Sequence, residues 1–161
     1  MTTFQPRMIA VEQEQLTSDD YYTSPWVFEK MEIQFDVDVC SPPGGIEWIP
    51  ANRYFSMIDD GLAQPWSGRV WMNPPFSNIG PWVRKFIEHE NGICLTIATK
   101  SLWFFELWES NAAMMTCGPE LSKFVGPKLH KAGDRWIPYP CVLWAFGQEC
   151  TEAVSRIGKV R

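Results

Sequence analysis

An apolar run that is cut off by two adjacent prolines places the strongest constraint on how this chain folds. The run 68–72 has the β-branched and aromatic content of a short strand, and Asn73, Pro74 and Pro75 follow it directly. Because proline has no backbone N–H, two prolines in a row cannot continue a hydrogen-bonded ladder. Asn73 is therefore predicted to lie at the carboxyl end of a strand, which is the edge of an open α/β sheet where ligands bind.

The chemistry of residues 73–76 suits a planar amine. The two prolines restrict the backbone, so the carbonyl groups of Asn73 and Pro74 are held as acceptors facing a cleft. The Asn73 side-chain oxygen adds an acceptor, and an exocyclic amino group on a planar ring offers two N–H donors. Phe76 adds a face on which a base stacks, a contact worth about 1–3 kcal/mol. The alternative is an ordinary turn, since Asn-Pro and Pro-Pro pairs are frequent in turns.

Length and composition predict one globular domain. A chain of 161 residues buries about 70% of its unfolded surface. Its hydrophobic fraction of 45%, with nine Trp and ten Phe, excludes intrinsic disorder. The sequence has no apolar run of membrane-spanning length and no basic-then-apolar leader, so we expect a cytoplasmic protein without membrane contact.

The cysteines predict no metal site. Five are scattered along the chain without a C-x-x-C pair, and only two histidines are available. We expect structural thiols and no bound metal.

Charge is divided unevenly along the chain, whose net charge is −5. Residues 1–60 hold three Lys/Arg against eleven Asp/Glu, whereas residues 61–161 hold eleven against eight. Segment 123–135 combines four Lys/Arg with neighbouring aromatics, which is typical of a loop that grips a nucleic-acid backbone but also of a solvated loop. The acidic first part predicts weak or assisted nucleic-acid binding rather than tight binding.

The order of predicted elements alternates between strands and helices. Residues 1–20 are polar and predict a mobile arm, and Pro25 starts a helix to Met31 with Ser24 as its N-cap. Predicted strands cover 33–39, 70–72, 92–98 and 141–146, and the remaining predicted helices cover 82–88, 104–113 and 153–157. The segment 42–50 is turn-rich. This alternation predicts a parallel-rich α/β sheet.

Together with residues 73–76, four further segments resemble in order the motifs of the phage-type DNA N6-adenine methyltransferases, a small Dam-like family. The similarity runs from about Tyr22 to Phe146. The four segments are an entry segment at 23–28, a first cofactor motif at 35–42, a segment before the catalytic strand at 60–62 followed by Trp66, and a strand with its following loop at 93–98 and 100–104. The first cofactor motif, at 35–42, lacks the glycine-rich turn found in most methyltransferases.

The resemblance implies a compact single domain, residues 21–161, with a Rossmann-like sheet flanked by helices that uses S-adenosylmethionine. The catalytic residues that it implies are Asn73, Pro74, Pro75 and Phe76. The cofactor-binding residues are Tyr22, Thr23, Asp38, Cys40, Asp60 and Leu62, with Asp60 meeting the adenine amine of the cofactor. The expected nucleic-acid contacts are Lys100, Lys123, Lys128, Lys131 and Arg135.

The implied reaction is methyl transfer to the N6 amine of a flipped-out adenine in DNA, in the cytoplasm of a bacterium hosting the phage or prophage. Residues like these also occur in methyltransferases that act on RNA bases or protein glutamines. A catalytically inactive nucleic-acid-binding protein with the same fold is a further alternative. The small size of the chain is compatible with a homodimer. Three of these residues also have a simpler interpretation. Asp60 is then a turn residue ahead of Gly61, and Tyr22 and Thr23 only lead into Pro25.

Overall fold

The computed structural model describes residues 18–126 and 134–161. Its strands are β1 (Tyr22–Thr23), β2 (Phe35–Asp38), β3 (Ala51–Tyr54), β4 (Val70–Met72), β5 (Gly92–Ile97), β6 (Ala113–Thr116), β7 (Lys123–Val125), β8 (Arg135–Trp136), β9 (Cys141–Phe146) and β10 (Lys159–Val160). Its α-helices are α1 (Pro25–Met31), α2 (Gly80–His89), α3 (Leu102–Glu109) and α4 (Gln148–Ser155). Short 3₁₀ helices cover Ser18–Asp20, Phe76–Asn78 and Pro119–Ser122.

Seven strands form one mixed sheet in the order β10-β6-β9-β5-β4-β2-β3. The strands β3, β2, β4 and β5 are parallel to one another, and β9 pairs antiparallel with both β5 and β6. The register places Asp38 beside Trp71 and Met72 beside Cys94. Because β3 and β4 flank β2 on opposite sides, a crevice opens beyond the carboxyl ends of these strands.

Helices cover both faces of the sheet. Along β4, Trp71 faces a cluster that includes Phe28 of α1 and Ala153 of α4. Its neighbours Val70 and Met72 face the opposite cluster, formed with α2 and α3. This alternation follows from the two-residue period of a strand, and it explains why all three β4 residues are fully buried.

A second, three-stranded antiparallel sheet joins β1, β7 and β8. It ties the chain before α1 to the segment before β9. Ser24 takes part in this connection, because its hydroxyl donates to the carbonyl of Lys123 at 2.7 Å. The prediction of Ser24 as the N-cap of α1 is confirmed, with Pro25 in the first turn, but the Ser24 side chain makes no capping hydrogen bond to the helix.

The α/β class is confirmed, and several boundaries needed correction. The predicted helix 104–113 is wrong at its carboxyl end, because the helix ends at Glu109 and Ala113 begins β6. Ser110 terminates it, since its hydroxyl donates to the carbonyl of Leu107 and accepts from the N–H of Ala112. The strand β3 was missed because this sheet-edge strand carries exposed polar side chains.

Two other predictions concern the ends and the surface of the chain. Most of the predicted mobile arm, residues 1–17, lies outside the described residues, and residues 18–20 form a 3₁₀ helix. The last helix begins at Gln148, five residues earlier than predicted. Of the helices within the described ranges, none is long and apolar enough to cross a membrane.

Candidate active site

A cleft of about 560 Å³ lies at the carboxyl ends of β2, β3 and β4. Each of these strands sends the loop that follows it into the wall of the cleft. A further wall comes from the segment that leads into β1. The lining residues are 19–22, 39–43, 55–57, 60–61, 73–76 and Trp82 of α2. The volume is in the range of pockets that hold cofactors and small ligands, about 300–1,000 Å³.

Residues 73–76 leave the sheet as the two prolines require. Within the described ranges, no backbone N–H donates to the carbonyl oxygen of Asn73 or Pro74, so both remain available as acceptors. A 3₁₀ helix begins at Phe76, and its Asn78 N–H donates to the carbonyl of Pro75 at 3.2 Å. The Phe76 ring contacts Phe124 edge-on with a centroid distance of 6.1 Å, which fixes its orientation at the cleft wall.

Residues 39–43, which directly follow β2, form the floor of the cleft. Asp38 lies beneath it, only 3% exposed, and its carboxylate accepts the backbone N–H of Cys40 at 3.2 Å. Burial raises the pKa of Asp38 to about 7, and the bond from Cys40 opposes this shift. Burial and the nearby Asp38 and Cys94 also raise the pKa of the Cys40 thiol well above its ordinary value. Cys40 is therefore a thiol at neutral pH, without the thiolate character of a nucleophile.

The turn after β3 forms the opposite wall. Asp60 has a left-handed backbone with φ of 53°, and its carbonyl accepts the N–H groups of Ala63 and Gln64. Gly61 packs against the end of β2, where a Cβ atom would lie 2.3 Å from the carbonyl oxygen of Val39. Asp60 is therefore a turn residue that also lines the cleft, and its contact with the cofactor stays a prediction.

The segment before β1 closes the remaining side. Ser77 donates its hydroxyl to Asp19 at 2.6 Å, which joins this segment to the 3₁₀ helix after the two prolines. Tyr21 and Tyr22 line the cleft, and Tyr21 also lies under the Arg135 guanidinium at 5.3 Å. Burial, followed by the charge of Asp20, raises the pKa of Tyr22, so its hydroxyl stays protonated at neutral pH.

The cleft is acidic. Three carboxylates, those of Asp19, Asp20 and Asp60, belong to its lining, and the described lining residues include no Lys, Arg or His. Such a wall favours a cationic ligand and disfavours one that carries phosphate groups.

The structure brings together most of the predicted catalytic and cofactor-binding residues. Those that line the cleft are Tyr22, Cys40, Asp60, Asn73, Pro74, Pro75 and Phe76. Three predicted cofactor residues lie outside the lining, and their roles stay predictions. Asp38 lies beneath the floor, Leu62 follows the Asp60 turn, and Thr23 is buried with its carbonyl accepting the indole N–H of Trp48 at 2.9 Å.

The described residues among the predicted nucleic-acid contacts lie in two places, the loop after β5 and the strands β7 and β8. Lys100 is exposed after β5. Lys123 in β7 forms an ion pair with Asp134 at 3.0 Å, and the exposed Arg135 lies in the neighbouring β8. Lys128 and Lys131 lie outside the described residues.

Sequence reasoning missed several residues of this site. Asp19 was assigned to the arm, and Lys85 and Trp82 of α2 were assigned only to an apolar helix. No local pattern marks them, because their roles depend on contacts with distant segments. All five cysteines are free, and the described residues include no group of three His, Cys, Asp or Glu that could hold a metal ion.

Comparisons with known proteins identify the family of this chain. The profile of the family described as DNA N-6-adenine-methyltransferase (Dam) matches residues 11–116. The DNA N-6-adenine-methyltransferase of Haemophilus phage HP1 is 33% identical over 75 residues, which is 43% of this chain and 42% of the phage protein. The aligned stretch thus spans less than half of that relative, and no solved structure matches significantly. Because the family profile covers well over half of the sequence, this chain belongs to the DNA N-6-adenine-methyltransferase (Dam) family.

Proposed function

We propose that this protein transfers a methyl group from S-adenosylmethionine to the N6 amine of adenine in DNA. The observation that carries the proposal is the position of Asn73 and Pro74. Both have carbonyl groups without described backbone donors, and both line a cleft at the carboxyl end of β4 in a chain of this family.

The cleft fits the proposed cofactor. S-adenosylmethionine carries a sulfonium and an ammonium group against a single carboxylate, so it is a net cation and has no phosphate. The carboxylates of Asp19, Asp20 and Asp60, with no basic side chain among the described lining residues, complement that charge. When bound, this group supplies an electrophilic methyl on a good leaving group. We assign Asp60, Tyr22 and Cys40 to its binding.

Asn73 and Pro74 act on the target amine by accepting its two N–H groups. Acceptors on both hydrogens help the nitrogen lone pair to leave conjugation with the adenine ring, so the nitrogen becomes a better nucleophile. Pro75 keeps the loop rigid, and Phe76 stacks on the base. Orientation of the amine supplies several kcal/mol without a strong general base.

DNA reaches the cleft from the side of the small sheet. A duplex hides the N6 atom, so the target adenine must be flipped out at a cost of a few kcal/mol. Lys123 lies on β7, which pairs with β1, and Arg135 lies on β8, which pairs with β7. The Arg135 guanidinium lies over the ring of the cleft-lining Tyr21, so these two cations are suited to hold phosphates near the mouth of the cleft. Lys100 is a further candidate on the loop after β5.

The proposal extends to the fold type and the place of action. The parallel strands β3, β2 and β4, with the cleft where their order reverses, favour a Rossmann-like methyltransferase sheet. The phage origin of the relative favours action in the cytoplasm of the bacterial host.

Labelled-methyl transfer tests the function directly. In parallel reactions, the purified chain is incubated with labelled S-adenosylmethionine and one substrate, which is mixed-sequence DNA, RNA or a glutamine peptide. We expect label on DNA adenine alone. Label on RNA or on the peptide would keep the amine chemistry and replace the substrate. Cofactor binding without transfer to any of them would point to an inactive binding protein.

A further inference from the structure

The wall of the cleft that carries Asp60 and Gly61 is an irregular turn, residues 60–66. A turn without a ladder to hold it needs other contacts to keep one conformation. Within it, the Trp66 indole N–H donates to the carbonyl of Gly61 at 2.8 Å. The Trp66 ring stacks on Trp82 of α2 with a centroid distance of 6.4 Å.

Lys85 of α2 holds this turn from behind. Its Nζ donates to the carbonyl oxygens of Gly61 at 3.3 Å, Leu62 at 2.6 Å and Gln64 at 2.5 Å. The same ammonium lies 4.9 Å from the centre of the Trp66 ring. All three donors of one ammonium group are thus used on a single segment.

This arrangement is unusual for a lysine on a surface helix, whose ammonium normally stays in water. Partial burial lowers the pKa of Lys85, and the carboxylates of Asp60 and Glu88 oppose that shift. Lys85 is outside the lining of the cleft. Its partners are the residues that shape the wall.

We propose that Lys85 is a positioning residue of the cofactor site, which holds the 60–66 turn so that Asp60 and Gly61 form a wall of the cleft. The inference rests on the proposed function, since it concerns the same cofactor. Lys85 thus acts on the affinity for the cofactor. It takes no part in the chemical step or in DNA contact.

The test replaces Lys85 with methionine, which keeps most of the aliphatic stem and removes the three donors. Arg84→Met is the matched control, because Arg84 is the preceding cation of α2 and pairs with Glu106 of α3, away from the turn. S-adenosylmethionine is titrated calorimetrically into the full chain of each variant, and steady-state methyl transfer is measured alongside.

We expect Lys85→Met to raise Kd and KM for the cofactor about tenfold, from the loss of charge-assisted hydrogen bonds. The kcat at saturating cofactor should stay within about twofold of wild type, since an ordered wall is recovered on binding. Arg84→Met should behave as wild type. Unchanged cofactor affinity in folded Lys85→Met would overturn the inference, and so would an equal loss in Arg84→Met.

If Lys85→Met does not fold, Lys85→Arg replaces it. Arginine keeps the charge, but its planar fork does not direct donors at three separate carbonyls as an ammonium does. The same rise in KM without a fall in kcat is expected, and wild-type kinetics would overturn the inference. A wild-type chain that binds no S-adenosylmethionine would instead remove the proposed function, together with this inference.

Discussion

Ser77 donates its side-chain hydroxyl to the carboxylate of Asp19 at 2.6 Å, across 58 positions of sequence. The Ser77 backbone N–H points to the same carboxylate at 3.4 Å. Ser77 directly follows Phe76, and Asp19 lies in the segment that closes the cleft. The pair therefore joins the loop that carries Asn73 and Pro74 to the segment before β1.

Breaking this pair should slow catalysis more than it weakens cofactor binding. We expect Ser77→Ala to lower kcat about tenfold, because a hydrogen bond to a charged group no longer orients the loop. Calorimetry should give a cofactor Kd within about twofold of wild type. Ser155→Ala, which removes a hydroxyl that donates to the carbonyl of Glu152 within α4 and lies outside the cleft lining, serves as control. Equal kcat in both variants would show that the pair does not position the loop.

Asn73 is expected to carry the chemistry. Replacing it with alanine removes the side-chain acceptor and leaves the prolines in place. We expect kcat to fall about 10³-fold, as for the loss of one preorganised group that stabilises a transition state. Cofactor binding should be spared in calorimetry, and the exposed Asn111→Ala is the control. Undiminished turnover by Asn73→Ala would remove the catalytic assignment.

The charge of Asp60 is expected to support cofactor binding. Asparagine is the informative replacement, because it tolerates the left-handed backbone that Asp60 adopts, whereas alanine adds strain there. We expect Asp60→Asn to weaken the binding of S-adenosylmethionine about tenfold, the value of one charge-assisted hydrogen bond. Asp60→Ala should weaken it further. An affinity equal to wild type in the Asn variant would exclude a role for the charge.

Asp38 should make the folded state sensitive to pH. Its carboxyl has a pKa raised to about 7 by burial, so between pH about 4 and 7 the folded chain keeps a proton that the unfolded chain releases. The free energy of unfolding therefore falls as pH rises through this window, by a few kcal/mol at most. Above pH about 7 this carboxyl is ionised in both the folded and the unfolded chain, so it adds no further pH dependence to the free energy of unfolding.

Asp38→Asn removes this titration. Urea unfolding at a series of pH values should show a smaller decline for the variant than for the wild type between pH about 4 and 7. At pH about 8 the variant should be at least as stable, because no charge is buried. Parallel curves for the two proteins would contradict the raised pKa.

Arg135 is expected to contact DNA phosphates. We expect Arg135→Gln to weaken DNA binding with little sequence preference and to reduce the slope of log K against log salt by about one. Fluorescence anisotropy at several salt concentrations measures both quantities. Lys159→Gln, at the far edge strand of the large sheet, is the control, and an unchanged slope for Arg135→Gln would place DNA elsewhere.

Local sequence was sufficient for elements whose signals lie within a few residues. The two prolines after Met72 end β4 wherever that strand packs, and the apolar run 141–146 predicted β9 with its bounds. Pro25 likewise marked the start of α1. The strand β3 and the boundary between α3 and β6 were missed or misplaced, because an edge position and a serine hydroxyl decided them rather than apolar periodicity.

The sequence by itself determined where the chain leaves β4 and the family to which it belongs, and it predicted an amine-binding role for residues 73–76. Only the tertiary structure decided which distant groups surround them. Asp38 lies beneath the floor because the register of β2 with β4 buries it, and Lys85 and Asp19 reach the cleft walls because α2 and the segment before β1 pack there. Such contacts join residues tens of positions apart, and no local pattern encodes them.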